Sequence, residues 1–366
     1  MTGRGRVIAA LNFQESDKIP LDINAHPSSG IDAVAYMGLR EYLELPRSAL
    51  YIYDFDQRLA LVEKDILDFF DADTFQLGLD FAKNHGRWQD FRLEDGTPCK
   101  IPVKKDARFP MSANFKRELR ETAAASRDGT DRAIYGVFGG SLAETGCKKF
   151  GMENFLRGLL IEPGKTQRFL DAVTEKHMEN LKTYLDAAGK YIDIIGFNDD
   201  MCAQNGPLFS PDIYNDFFFQ RQKRMWTYIH DRFPSLKICL HCCGGTRLLM
   251  PLFIDAGLDA LNPVQRSCKD MALNDLKMEL HGKLALWGGG CDTHFMLPGI
   301  APREIRAYVN ESVKTMYKGG GFVFQPVHNI LKSMPAANIV EMYKTVREFN
   351  SGAEGEKNEN DSSCKR

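Results

Sequence analysis

The chain has 366 residues, 43% hydrophobic and 26% charged, a balance that sustains a large packed core in one enzyme-sized domain. Its net charge of −2 supplies no basic field, which excludes nucleic acid and anionic membrane surfaces as leading partners. No run approaches the roughly 18 apolar residues of a membrane-spanning helix, and nine irregularly spaced cysteines do not form a disulfide framework, so a reducing cytoplasm is expected.

The N-terminal stretch reaches Gln14, Glu15, Ser16 and Asp17 before a secretory apolar region is complete. Short β-rich runs then recur: IPLDIN at 19–24, ADTFQL at 72–77, AIYGVF at 133–138 and IDIIGFND at 192–199. Four more follow, LKICLHCC at 236–243, LDALNPV at 258–264, KLALWGGG at 283–290 and GGFVFQPV at 320–327. Between them the periodicity predicts helices, among them 152–160, 163–188, 211–233, 246–256, 302–317 and 336–349. Pro163, Pro211, Pro302 and Pro335 stand at or near their starts, where a missing N–H costs nothing.

The strands are near-continuous apolar runs, as both-face burial in a parallel sheet requires. Eight β/α alternations predict an α/β fold, a (β/α)8 TIM barrel spanning 1–350. Residues 78–132 interrupt the rhythm; Asp95-Gly96 between two alternating segments predicts a β-hairpin, read as an insertion after the second strand. The polar stretch 351–366, with Cys364 in it, reads as a disordered tail.

Barrel chemistry gathers at the C-terminal ends of strands. The fifth ends in His241-Cys242-Cys243-Gly244-Gly245, and strand alternation puts His241 and Cys243 on one side and Cys242 on the other. A His-x-Cys pair can fill two vertices of a zinc tetrahedron; equally, both residues can be core. Catalytic zinc takes a third protein ligand, for which His328, Cys291 and Cys202 all stand near strand ends. His294 reads as a cap or lining residue of the next helix.

Asp199 and Asp200, after the fourth strand, can orient a metal-bound histidine, exchange protons or cap a helix. Gln204 and Gln265 can bond a polar substrate or lie in surface loops. Asp22, Asn24 and His26 leave the first strand as a polar cluster directed at the pocket floor. Phe138, Phe197, Trp287 and Phe324 form either a substrate wall or barrel packing. The GxxxxGK[ST], GxSxG and HExxH patterns are absent.

Over nearly its full length the chain resembles the uroporphyrinogen decarboxylase superfamily. The segments that carry this are RVIAALNFQESDKIPLDI, AIYGVFGGSLAE, IGFNDDMCAQNGPLFSPDIY, LHCCGGTRLLMPLFIDAGLDALNPVQ, LWGGGCDTHFML and GGFVFQPVHNILKSMPAANI. True decarboxylases carry an arginine-rich motif after the first strand, where this chain has INAHPSSGI, so the resemblance points away from porphyrinogen decarboxylation. It points to the corrinoid-dependent methyltransferase branch, which has the His-x-Cys pair. In the coenzyme M enzyme of that branch the remaining zinc cysteine stands seven residues before the proline opening the final helix. Here that position, seven before Pro335, is His328.

The resemblance therefore implies Zn2+ on His241, Cys243 and His328, and a corrinoid carried by a separate corrinoid-binding protein. Each thiolate lends zinc a full negative charge, so two imidazoles and one thiolate leave it more electrophilic than the reverse set. That suits an ether oxygen better than a thiol nucleophile. The expected activity is methyl transfer from an O-methylated, methoxyaromatic donor to the corrinoid protein. The alternatives are methyl transfer from the corrinoid to a thiol such as coenzyme M, and a zinc-free decarboxylase-like enzyme. Asp199 or Asp200 is expected to orient a metal-bound histidine or to transfer a proton, and Phe138, Phe197, Gln204 and Phe324 are expected at the substrate. The sequence leaves the barrel free to act as a monomer or a homodimer.

Overall fold

A computed structural model describes residues 1–363 except 47, 80–82, 84–86, 104–113 and 294–298, with side chains up to residue 352. His294 and Cys364 lie outside the described residues. In chain order the strands are β1 (Ile52–Asp54), β2 (Leu59–Ala60), β3 (Thr74–Gln76), β4 (Trp88–Arg92), β5 (Pro98–Pro102), β6 (Ala133–Gly139) and β7 (Ile194–Asn198). They continue with β8 (Cys202–Ala203), β9 (Gly206–Pro207), β10 (Lys237–His241), β11 (Ala260–Asn262), β12 (Ala285–Trp287) and β13 (Phe322–Val323).

Seven of them make one parallel sheet in the order β13-β12-β11-β10-β7-β6-β3, alternating in sequence with helices such as Pro163–Ala188 and Pro302–Met316. This is a TIM-like barrel sheet. The expected first strand, 19–24, is reduced to a single parallel bridge between Leu21 and Phe324. Pro20 has no N–H to give, the Leu21 N–H goes to the Asp73 carboxylate at 2.8 Å, and Asn24 leaves extended geometry at φ 64°. The segment still bonds both edges of the sheet: Asp22 N–H donates to Phe324 O, and Asp73 N–H to Leu21 O, each at 2.8 Å.

β4 and β5 pair antiparallel around Asp95-Gly96, where Gly96 takes φ +84°. The helix predicted at 211–233 runs as Pro211–Tyr214, a π turn over Asn215–Phe219 and Gln220–Arg232. The last helix is Ala336–Ser363 and enters the segment expected to be a tail. No helix among the described residues is long and apolar enough to cross a membrane.

Alternation along the strands divides the core into two layers. Inside the barrel lie Ala133, Tyr135, Ile194, Cys239, Ala260, Ala285, Trp287 and Val323. Their strand neighbours Ile134, Ile195, Ile238, Leu240, Leu261, Leu286, Phe322 and Phe324 pack outward against the helices. The inner layer is partly polar: Asp22 is fully buried and accepts from Trp287 Nε1–H, Thr74 Oγ1–H and the Ala25 N–H at 2.8–3.0 Å.

Candidate metal centre

Three inward side chains stand in register at the ends of adjacent strands: Asn198 on β7, His241 on β10 and Asn262 on β11. That register brings Asn262 Oδ1 to 2.8 Å from His241 Nδ1. Beyond the strand the chain continues to Cys243, whose Sγ lies 3.3 Å from His241 Nε2, while Cys242 turns away and is fully buried in the outer layer. The Gly-Gly that follows packs on the small β8–β9 hairpin. At Gly244, φ is +98° and a Cβ would meet Ala203 O at 2.7 Å, so only glycine fits. Gln265 Oε1 accepts the Gly244 N–H and so fixes the same turn.

His328 arrives from the loop after β13, its ring centroid 5.7 Å from that of His241 and its Nδ1 2.6 Å from Asn329 Oδ1. The donor atoms of His241, Cys243 and His328 all lie within 4.8 Å of one another. A tetrahedral zinc with Zn–N and Zn–S bonds of about 2.0 and 2.3 Å needs N and S vertices roughly 3.5 Å apart. The observed 3.3 Å between His241 Nε2 and Cys243 Sγ fits that edge, and imidazole and thiolate suit the ion's borderline softness. Cys291 is fully buried in the outer core, and neither it nor Cys202 joins this group.

The two aspartates divide sharply. Asp199 is 1% exposed and accepts the N–H groups of Leu142, Ala143 and Glu144 at 2.9–3.1 Å, capping helix Ala143–Phe150. Burial pushes its carboxyl up to about 7, against the pull of those three donors. Asp200 is 46% exposed; its Oδ1 accepts the Cys243 N–H at 2.8 Å and stands 3.8 Å from His241 Nε2. Burial and the Asp200 charge both push the Cys243 thiol up, so in this setting a cation is what stabilises the thiolate.

The aromatic residues expected at a substrate wall go elsewhere. Phe197 pairs in register with Leu240, and Phe324 follows inward Val323; both are sealed in the outer layer. Phe138 is half-buried against Phe197 and Tyr184 on the same side. Trp287 does face inward, where its indole serves Asp22. Gln204 is exposed at the tip of the β8–β9 hairpin.

The polar cluster read from the first strand is present in part, since the His26 ring lies 4.9 Å from that of His241, centroid to centroid. Sequence reasoning missed Asn262, Asn329 and Glu144, whose Oε1 accepts the Asp200 N–H at 3.3 Å. A signal existed for Asn262, as the residue that ends the strand beside His241; for Asn329, only its adjacency to His328.

Known structures with this architecture include a methyltransferase from Methanosarcina mazei, 17% identical, covering 95% of this chain and 99% of its own at a TM-score of 0.62. That likeness establishes the shared fold. The catalytic domain of an endo-β-1,4-mannanase from Bacillus sp. JAMB-750 covers 91% of this chain and 93% of its own at 13% identity, with a TM-score of only 0.42. No curated protein sequence matches the chain. The family model for uroporphyrinogen decarboxylase (URO-D) matches residues 139–349, more than half the chain and both strand ends of the candidate metal centre, and the chain belongs to that family.

Proposed function

We propose that the protein is a zinc-dependent methyltransferase that moves a methyl group from an O-methylated, methoxyaromatic donor to a separate corrinoid-binding protein. The observation that carries this reading is the convergence of His241 Nε2, Cys243 Sγ and a His328 ring nitrogen at the mouth of the barrel. The fold shared with the Methanosarcina mazei methyltransferase supports it. When bound, zinc on two imidazoles and one thiolate supplies a Lewis acid for the ether oxygen.

The chain's own residues do the rest. Cys243 gives up its proton as the cation is taken up, and Asp200, the exposed carboxylate beside it, is placed to receive that proton and later to exchange one with the departing phenol oxygen. Asp199 holds helix Ala143–Phe150 and thereby Glu144, which fixes the Asp200 backbone. In the transfer the C–O bond breaks, its electron pair stays with oxygen, and the Co(I) pair of the corrinoid forms the new bond to carbon. The hairpin β4–β5 belongs to an insertion over the mouth on this reading.

The test is to mix the purified protein with a reduced corrinoid protein and a panel of methoxyaromatics, following the cobalt spectrum. Methyl-Co(III) should form with at least one donor. Reaction only between methyl-Co(III) and an added thiol would replace this reading with transfer in the opposite direction.

A further inference from the structure

A neutral imidazole carries one ring proton, and its place is set by what the surrounding atoms accept or donate. At His241 the assignment starts from a group with no choice. The Trp287 carbonyl only accepts, so the Asn262 atom 3.1 Å from it is the amide nitrogen, which also donates to Gln325 Oε1 at 3.0 Å. Asn262 Oδ1 therefore faces the other way, accepting the Ser28 hydroxyl at 2.7 Å and standing 2.8 Å from His241 Nδ1. An oxygen acceptor at that distance requires Nδ1–H. The lone pair is left on Nε2, the atom 3.3 Å from Cys243 Sγ.

His328 is governed by a different chain of groups. The Asp54 carboxylate only accepts, so Gln57 directs Nε2 to it at 3.4 Å and its Oε1 towards Asn329 Nδ2 at 3.3 Å. Asn329 Oδ1 is then the atom 2.6 Å from His328 Nδ1, which again requires Nδ1–H and puts the ring lone pair on Nε2. Two networks that share no residue reach the same result.

We propose that Asn262 and Asn329 are positioning residues that hold His241 and His328 in the Nδ1–H form, so that both present Nε2 to a divalent cation before it arrives, on the reading that this cluster binds zinc. Each carboxamide also fixes its ring's rotation about the bond to Cβ. A ring in the opposite form would have to move its proton before it could ligate through Nε2.

Long-range 1H–15N spectra of the full chain, freed of metal and labelled at histidine, test this without any activity. At mildly alkaline pH both residues should show protonated Nδ1 and bare Nε2, and Nε2–H at either one would overturn the assignment. Zinc affinity, measured by competition with a chelator, should fall about 10–100-fold in Asn329→Leu. Asn329→Asp keeps the acceptor and should recover most of the loss; equal affinities for wild type and Asn329→Leu would sink the positioning role. Asn262→Leu also strips partners from Ser28 and Gln325 inside the barrel, so the Asn329 pair and the wild-type spectra decide. A chain with these ring forms and affinities that transfers no methyl group would overturn the methyltransferase reading alone.

Discussion

Cys242 and Cys243 are neighbours in the chain with opposite surroundings, and the same split divides the whole barrel. Outward from the strands run Leu240, Phe197, Leu286 and Phe324, packed against helices, and Cys242 continues that layer. Inward, the lower levels are sealed by residues such as Tyr135 and Ile194, while the upper ends carry Asn198, His241 and Asn262. One layer packs the sheet against the helices and the other brings the candidate metal ligands together, although the two alternate residue by residue. Substitutions that differ only in which way the side chain points should therefore have effects of different kinds.

The largest contrast is at the cysteines. Cys243→Ala should take zinc from about one per chain to none and lower methyl transfer by more than about 100-fold, since losing a ligand costs more than losing a group that only orients one. Cys242→Ala should keep metal and most activity at a cost of about 1 kcal/mol. Metal analysis with parallel denaturation curves checks both, and equal metal loss in the two variants would break the division.

Phe324→Ala should be the reverse case. It empties a fully buried site beside Gly290 and Tyr343 and should cost about 3–5 kcal/mol of stability, while the KM for any methyl donor stays unchanged in protein that remains folded. A selective change in KM would return this ring to the substrate wall that the sequence suggested.

Why that expectation arose, and why His241 and Cys243 do come together, comes down to register. Alternation within one strand is legible in a sequence, and it separated Cys243 from Cys242 without a structure. The alignment of one strand with the next is not written locally. Only the pairing of Leu240 with Phe197, and of His241 with Asn198 and Asn262, shows which side Phe197 takes and why an asparagine reaches the imidazole. The β/α rhythm was legible for the same reason as the cysteines, being periodic. The first strand was overcounted because the apolar run at 19–24 does not reveal that Leu21 spends its N–H on the Asp73 side chain.

The adjacent aspartates repeat the division on a smaller scale. Asp200→Asn should lower methyl transfer by about 100-fold or more if it exchanges the proton, with little change in melting temperature because the side chain is half in solvent. Asp199→Ala should cost about 0.5–2 kcal/mol through the lost cap on helix Ala143–Phe150. Unchanged kcat in Asp200→Asn would remove it from the chemistry.

The last contrast is a slope with pH. With its folded pKa pushed up to about 7, far above the ordinary 3.8, Asp199 keeps a proton in the folded chain that the unfolded chain releases. Between those values the folded state binds more protons, so its share of stability is greatest at acid pH and declines as pH rises towards 7, by at most about 1.4 kcal/mol per pH unit. Asp73, pushed up to about 6 by burial, acts with the same sign but over a lower window. The stability difference between wild type and Asp199→Asn, followed by denaturation from pH 4 to 7, isolates the Asp199 share, and its continued change between pH 6 and 7 separates it from Asp73. A difference that stays flat over the whole range would mean that the three N–H donors, and not burial, govern this carboxylate, leaving it a charged cap at every pH in that window.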